Sequence, residues 1–248
     1  MKITKGICIG LPAMDGKVEL ELMDAMIFLY LKCQKKGIPL VHIGVSGASL
    51  ITKCRSDIAN EFMYNMEFSH FLFIDSDVVF NPDDIIKMYE SDKDIIAGTY
   101  VKKYIDWKNL HEVFVDRRNK NDTIKELMSK AGDYNLSNQK ISSKTSSDAI
   151  MQAEGVATGM LMIKRNVFTE LQKYMTDEYY LDNGRKNWGY FSTILHKGEH
   201  ISEDYAFCKR ATFAGFDINI LLDCDTTHIG RMKYYGNLKT KIDYANRK

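Results

Sequence analysis

The apolar positions of this chain come in short continuous runs, separated by segments in which apolar residues recur every three or four positions. The organising run is His70-Phe71-Leu72-Phe73-Ile74, which passes into Asp75-Ser76-Asp77 and then Val78-Val79-Phe80. A continuous run of this kind predicts a strand buried on both faces, as in a parallel sheet. Residues 3–11 predict a first strand that breaks at Pro12, residues 39–45 a second, and residues 94–100 one after the Asp75 strand. Between them, residues 18–36 carry Leu22, Ala25, Met26, Leu29 and Cys33 at helical spacing, with Gly37 as the stop. Residues 50–66 predict another long helix, and Asn81 before Pro82 is an N-cap with proline at the first helical position. This alternation predicts an α/β fold: a Rossmann-like, mostly parallel central sheet flanked by helices on both faces.

The pattern fades after Trp107. Residues 116–148 are polar, rich in Asn, Lys and Ser, and predict an irregular excursion with one short helix near 123–130. Order resumes with a strand over 155–163 and a helix over 165–175. An aromatic, loop-like stretch over 179–195 follows, then a helix capped by Ser202 and running to about Ala214. The reading closes with a last strand over 216–222 and a basic, solvated tail over 233–248.

Composition narrows the function classes. The chain has 248 residues, 45% of them hydrophobic, enough to bury a full core. Its 34 basic and 33 acidic residues leave a net charge of +1, without the concentrated basic surface that duplex nucleic acid requires. The 5 cysteines are odd in number and form no CxxC pair, so they read as reduced structural thiols of a cytoplasmic protein. The N-terminus has no apolar run suited to a signal peptide, and the apolar segments 25–31 and 156–163 are too short to span a bilayer. No apolar surface helix suited to a lipid-linked acceptor stands out in the pattern.

The chemistry gathers around Asp75 and Asp77. A buried carboxylate is costly unless paired or bound to a metal, and open α/β sheets bind ligands at the carboxyl ends of their strands. Two carboxylates one residue apart on a strand point to opposite sides unless the backbone turns, so they should have different tasks. One suits a divalent cation that also holds a diphosphate; the other suits a hydroxyl or ammonium group. Each remaining candidate has two readings. Glu203-Asp204 are helix-capping acids or a general base. His228 is structural or a metal ligand, Arg55 an ordinary ion-pair residue or a site residue. Trp188 belongs to the core or stacks on a sugar or base.

In their order along the chain, these residues resemble the GT-A glycosyltransferases, nucleotide-sugar-dependent enzymes with a Rossmann-like domain and a DxD motif, and among them the inverting, family-2-like members. The likeness covers residues 3–230. Leu11, Pro12, Ala13 and Met14 stand where that family seats the nucleotide base. Arg55, in Cys54-Arg55-Ser56-Asp57-Ile58-Ala59-Asn60, is similar to the helix that backs the nucleotide, and Asp75-Ser76-Asp77 is the DxD. The 155–163 strand resembles the acceptor-side strand, Ser202-Glu203-Asp204 the E-D motif, and His228 the C-terminal metal ligand.

The resemblance implies that Asp77 and His228 ligate Mn²⁺ or Mg²⁺, with Asp75 at the ribose or in the metal shell. Ser76, Arg55 and Leu11–Met14 would line the nucleotide. Asp204 would be the general base, with Glu203 orienting acceptor or sugar, and Gly159 and Trp188 would face the acceptor. The implied partners are a nucleoside-diphosphate sugar, UDP-sugar foremost, and a glycan or other hydroxyl acceptor. A single domain over 1–248 would then comprise a nucleotide-sugar half (1–105), the polar insertion (106–150), an acceptor and catalytic half (151–232) and the basic tail (233–248). Two other readings share the same residues. One is a catalytically silent nucleotide-sugar or glycan-binding module. The other is a haloacid-dehalogenase-like phosphatase, whose nucleophilic aspartate normally lies on the first strand before a Gly-Thr turn; here the motif is on the third, before Val78-Val79-Phe80.

Overall fold

A computed structural model describes residues 3–136, 149–230 and 232–247. In its first part β1 (Thr4–Ala13), α1 (Leu20–Lys36), β2 (Leu40–Ser46), α2 (Ile51–Asn65), β3 (Phe68–Ile74), β4 (Val78–Phe80), α3 (Pro82–Glu90) and β5 (Ile95–Gly98) follow one another. Then come α4 (Trp107–Val115), α5 (Ile124–Ala131), β6 (Ile150–Ala153), β7 (Met160–Lys164) and α6 (Arg165–Tyr174). The hairpins β8 (Tyr179–Asp182) with β9 (Arg185–Trp188) and β10 (Ile194–His196) with β11 (Glu199–Ile201) lead into α7 (Glu203–Phe213). The chain ends with β12 (Ile218–Leu221), β13 (Thr226–Ile229), β14 (Lys233–Gly236) and α8 (Leu238–Ala245).

The central sheet has 7 strands in the order β2-β1-β3-β7-β5-β12-β6. β1, β2, β3, β5 and β12 run one way, while β7 enters antiparallel between β3 and β5, and β6 closes the edge antiparallel to β12. The expected α/β sheet is therefore mostly parallel but mixed. Side chains alternate across it, as the pleat requires. Phe71 and Phe73 of β3 enter a core built with Ile58 and Phe62 of α2, Phe168 of α6 and Phe207 of α7. Leu72 and Ile74 enter the opposite core, built with Leu22 and Leu29 of α1 and Ile85 and Met88 of α3.

The local signals explain several boundaries. Gly37 ends α1 in the left-handed region, and its N–H caps the carbonyls of Cys33 and Gln34. Asn81 accepts from the Asp83 N–H with Pro82 at the helix start. Ser202 occupies the N-cap position of α7, but its hydroxyl makes no capping bond, unlike the expectation.

Other expectations are corrected. β1 does not break at Pro12. The Ile7 N–H donates to Pro39, so alternate residues face β2 and the Pro12 nitrogen faces the β3 side. There the β1–β3 pairing has already ended at Gly10 opposite Phe73, and the missing N–H costs no ladder bond. Within 179–195, β8 and β9 form a hairpin and β10 begins at Ile194, with only short turns between, and 107–115, beyond the predicted pattern, form α4. Within the polar excursion α5 forms behind a full Thr123–Glu126 capping box, while residues 137–148 lie outside the described residues. The expected basic tail is instead β14 and α8, with Leu238 and Ile242 buried in the main core.

Candidate active site

β3 stops where the backbone turns. The Val78 N–H donates back to the Asp75 carbonyl at 3.0 Å, and β4 then leaves the main sheet to pair with β13. The turn separates the two carboxylates and gives each its own partners.

Asp75 receives a bidentate pair from Arg55, Nη1 to Oδ1 at 2.8 Å and Nη2 to Oδ2 at 3.0 Å. Arg55 lies on the buried face of α2 over the Phe73 ring. Its Nε has no hydrogen bond and faces Glu203 Oε1 at 3.8 Å. Burial works against the Arg55 charge, and the Asp75 carboxylate more than restores it, with Asp204 adding to the effect. One guanidinium therefore joins the end of β3 to the start of α7.

Asp77 is served from the other side. Lys103, just beyond β5, pairs with Oδ2, and His228 Nε2 lies 3.5 Å from Oδ1. β13 places the histidine: its register sets His228 opposite Val78, and the Ile229 N–H donates to the Asp77 carbonyl at 2.8 Å. Burial raises the Asp77 pKa, but hydrogen bonds from His228 and Lys103 outweigh it and bring it to about 2. His228 Nδ1 lies 2.8 Å from the Val101 carbonyl, which can only accept, so Nδ1 carries a proton and Nε2 is the ring nitrogen turned toward Asp77.

Asp204 is the third carboxylate. It sits in the first turn of α7, partly buried, and Thr158 Oγ1 donates to its Oδ1 at 2.6 Å. Burial pushes its pKa up to about 6, against the pull of Arg55 and the Thr158 hydrogen bond, with Glu203 and Asp75 also raising it. Between Asp75 and Asp204 lies Gly159. Its carbonyl accepts from the Asp75 N–H, and its N–H donates to the Tyr100 hydroxyl, both at 3.0 Å. A Cβ there would stand 2.4 Å from that hydroxyl and 2.8 Å from Asp75 Oδ2, so the close approach requires glycine.

The structure thus brings together Arg55, Asp75, Asp77, Gly159, Glu203, Asp204 and His228. Leu11–Met14 close β1 at the same end of the sheet, and the Glu19 N–H donates to the Ser76 carbonyl at 3.2 Å. Each Asp75 oxygen accepts one hydrogen bond from Arg55, while Asp77 and His228 face each other; no group of three potential metal ligands occurs among the described residues. The His228 ring, oriented by the Val101 carbonyl, and the adjacent Asp77 oxygen would suit a two-donor cation site that a diphosphate completes. Trp188 is partly buried against the main core with its Nε1 enclosed, Asn60 of α2 holds its backbone, and Lys186 lies over its ring. Sequence reasoning missed Lys103, Thr158 and Tyr100. The signal for Tyr100 and Lys103 was their place just past the carboxyl end of a parallel strand, where such sheets collect ligands.

No family model matches this chain, and no curated protein matches it in sequence. Among solved structures, the crystal structure of A197 from STIV aligns over 94% of this chain and 94% of that one, with a TM-score of 0.53 and 15% identity. A UDP-glucose pyrophosphorylase complexed with UDP-glucose aligns over 99% and 100% (TM-score 0.43, 9% identity). A glycosyltransferase involved in glycosylation of the major capsid of PBCV-1 aligns over 68% and 64% (TM-score 0.34, 12% identity). At these identities likeness speaks for fold alone, and only the first reaches a score that carries weight. The strand order and this likeness give an α/β fold: a mixed, mostly parallel seven-stranded sheet flanked by helices. Among the described residues no helix is long and apolar enough to cross a membrane.

Proposed function

We propose that this chain is a glycosyltransferase that moves a sugar from a nucleoside-diphosphate sugar to an acceptor hydroxyl with inversion, Asp204 acting as general base. The observation that carries this reading is the separation of two carboxylates in one cluster: Asp77 is held near 2 and Asp204 near 6. Carboxylates whose environments push their pKa values apart have divided anion-holding and proton-accepting tasks.

Thr158 orients Asp204 by occupying Oδ1, which leaves Oδ2 to take the acceptor proton. A base near 6 is ionised at neutral pH and stronger than an ordinary carboxylate. Glu203 sits beside it at the α7 N-terminus, where the helix dipole favours the anion, and orients acceptor or sugar. Arg55 fixes Asp75, whose position beside Gly159 suits a ribose or sugar hydroxyl. Asp77 and His228 would hold Mn²⁺ or Mg²⁺ with the diphosphate. When bound, that cation neutralises charge on the departing nucleoside diphosphate. Lys103 shares Asp77 with any such cation; released from it, the ammonium is placed to pair with a phosphate oxygen. UDP is the first nucleotide to test, on the strength of the sequence resemblance.

The test is turnover. Wild type is incubated with UDP-, GDP- and dTDP-sugars and Mn²⁺, and nucleoside-diphosphate release is followed alongside Asp204→Asn. The expected result is release from one donor class, lowered about 10²–10⁴-fold in the variant while nucleotide affinity holds. Binding of a nucleotide sugar without release from any donor, with or without sugar acceptors, would replace this reading by the silent binding module.

A further inference from the structure

Helix α1 is apolar on two opposite faces. Leu22, Ala25, Leu29 and Cys33 face the core. Leu20, Met23, Ile27 and Leu31 repeat at three- and four-residue spacing on the other side and are 65%, 45%, 49% and 48% exposed, with Phe28 beside them at 59%. An ordinary surface helix places polar residues there, and a contiguous exposed apolar stripe marks an interaction surface. At the C-terminal end of this stripe a groove of about 490 Å³ opens between α1 and the start of β2, lined by Tyr30, Leu31, Gln34, Ile38 and Leu40. β2 is the edge of the main sheet and pairs only with β1. The sequence pattern read only the core-facing stripe of α1, which is why no apolar surface helix was expected.

We infer that this face docks a second copy of the same chain, with the two α1 helices antiparallel across a two-fold axis. In such an isologous interface every feature must meet its own complement on the other copy, and α1 carries complements at its two ends. Its N-terminal half presents the ridge Leu20, Met23 and Ile27; its C-terminal half presents the groove. Glu21, Lys32 and Lys36 are engaged within the chain by Lys233, Asp83 and Glu90, which leaves Asp24 in the first half and Lys35 in the second to meet a partner. Antiparallel pairing sets ridge into groove and Asp24 against Lys35. Asp24 beside the apolar stripe also argues against an anionic membrane surface as the occupant. The inference is independent of the catalytic reading, although α1 begins next to Glu19, whose N–H holds the Ser76 carbonyl.

Sedimentation velocity over a micromolar concentration series tests it, on wild type, Ile27→Glu, Asp24→Lys, Lys35→Asp and the Asp24→Lys/Lys35→Asp double variant. Wild type should sediment with the mass of two chains. Ile27→Glu should be a monomer with an unchanged melting temperature, since the position is exposed; Met23→Lys is the second such variant, should Ile27→Glu fail to fold. Each single charge reversal should weaken association about tenfold, and the double variant should recover it. A wild type that stays monomeric throughout the series, an Ile27→Glu dimer, or monomers that instead co-sediment with vesicles of anionic phospholipid would each overturn the inference.

Discussion

Two arginines, one half-buried and one buried, stand at opposite ends of β3 and do opposite things. At the amino end Arg165 donates to the backbone carbonyls of Phe62, Met63, Met66 and Phe68, which ties the end of α2 to the start of β3. Its oxygen partners are neutral carbonyls: burial lowers its pKa against weaker pulls from Cys8, Tyr190 and Glu67, and His70 nearby is held down to about 4 by burial and then by Lys164. At the carboxyl end Arg55 spends its donors on a carboxylate and faces a second one. The wider hollow, about 670 Å³, lies at the amino end beside His70 and Arg165. Hollow volume therefore does not locate the chemistry here. What separates the two ends is the partner: backbone carbonyls make an arginine a structural clamp, while converging carboxylates keep charge available to a ligand.

The largest effect expected from breaking this contrast is in Arg55→Met set against Arg165→Met. Removing Arg55 leaves Asp75 and Glu203 without their counter-charge, with a loss of about 3–5 kcal/mol in denaturant unfolding at neutral pH and loss of nucleotide binding. An added Asp75→Asn should recover part of the stability. Arg165→Met should also unfold more easily but bind nucleotide as wild type does. Equal damage to binding in both variants would erase the distinction between the two ends.

The next effect is on the pH profile. If Asp204 is the base, kcat/KM should climb with pH and level off above about 6. Its stability contribution runs the other way. The folded carboxyl holds its proton more tightly than the unfolded one, so wild type should lose stability relative to Asp204→Asn as pH rises from about 3.8 to about 6. A rate profile flat across that range would remove Asp204 from the chemistry.

The smallest effect belongs to the amino end. His70 has a folded pKa near 4 against an ordinary 6.5, so its contribution is complete above 6.5 and is lost as pH falls toward 4. His70→Gln should flatten that stretch of the stability curve and leave nucleotide affinity untouched. An affinity change in this variant would mean that the two ends of β3 are coupled.

The sequence was legible wherever one residue or a short period carries the physics. Gly37 stops α1, Asn81-Pro82 start α3, and the Phe71–Ile74 run is buried on both faces as its composition demands. Asp75 and Asp77 could be named because carboxylates at the end of an apolar run need a reason to be there; Arg55, Glu203, Asp204 and His228 were singled out only by the resemblance of their order along the chain. Strand direction was not legible: the composition of Met160–Lys164 is the same whether β7 runs up or down. Nor was the source of each counter-charge. Lys103 and Thr158 reach the carboxylates because β7 enters between β3 and β5, which no local pattern encodes. Trp188 shows the converse, since an aromatic residue in a polar stretch reads alike whether it faces a ligand or packs against the core.

The most direct test of the central claim is calorimetric titration of UDP, GDP and dTDP into the protein, each with and without Mn²⁺, repeated for the best ligand on Asp77→Ala and Lys103→Ala. The account predicts tight binding of one nucleotide, dependent on the metal and on Asp77. Without Lys103, less Mn²⁺ should be needed, because the cation no longer competes with the ammonium for Asp77. Binding that ignores both the metal and Asp77, or no binding of any of the three, would contradict it.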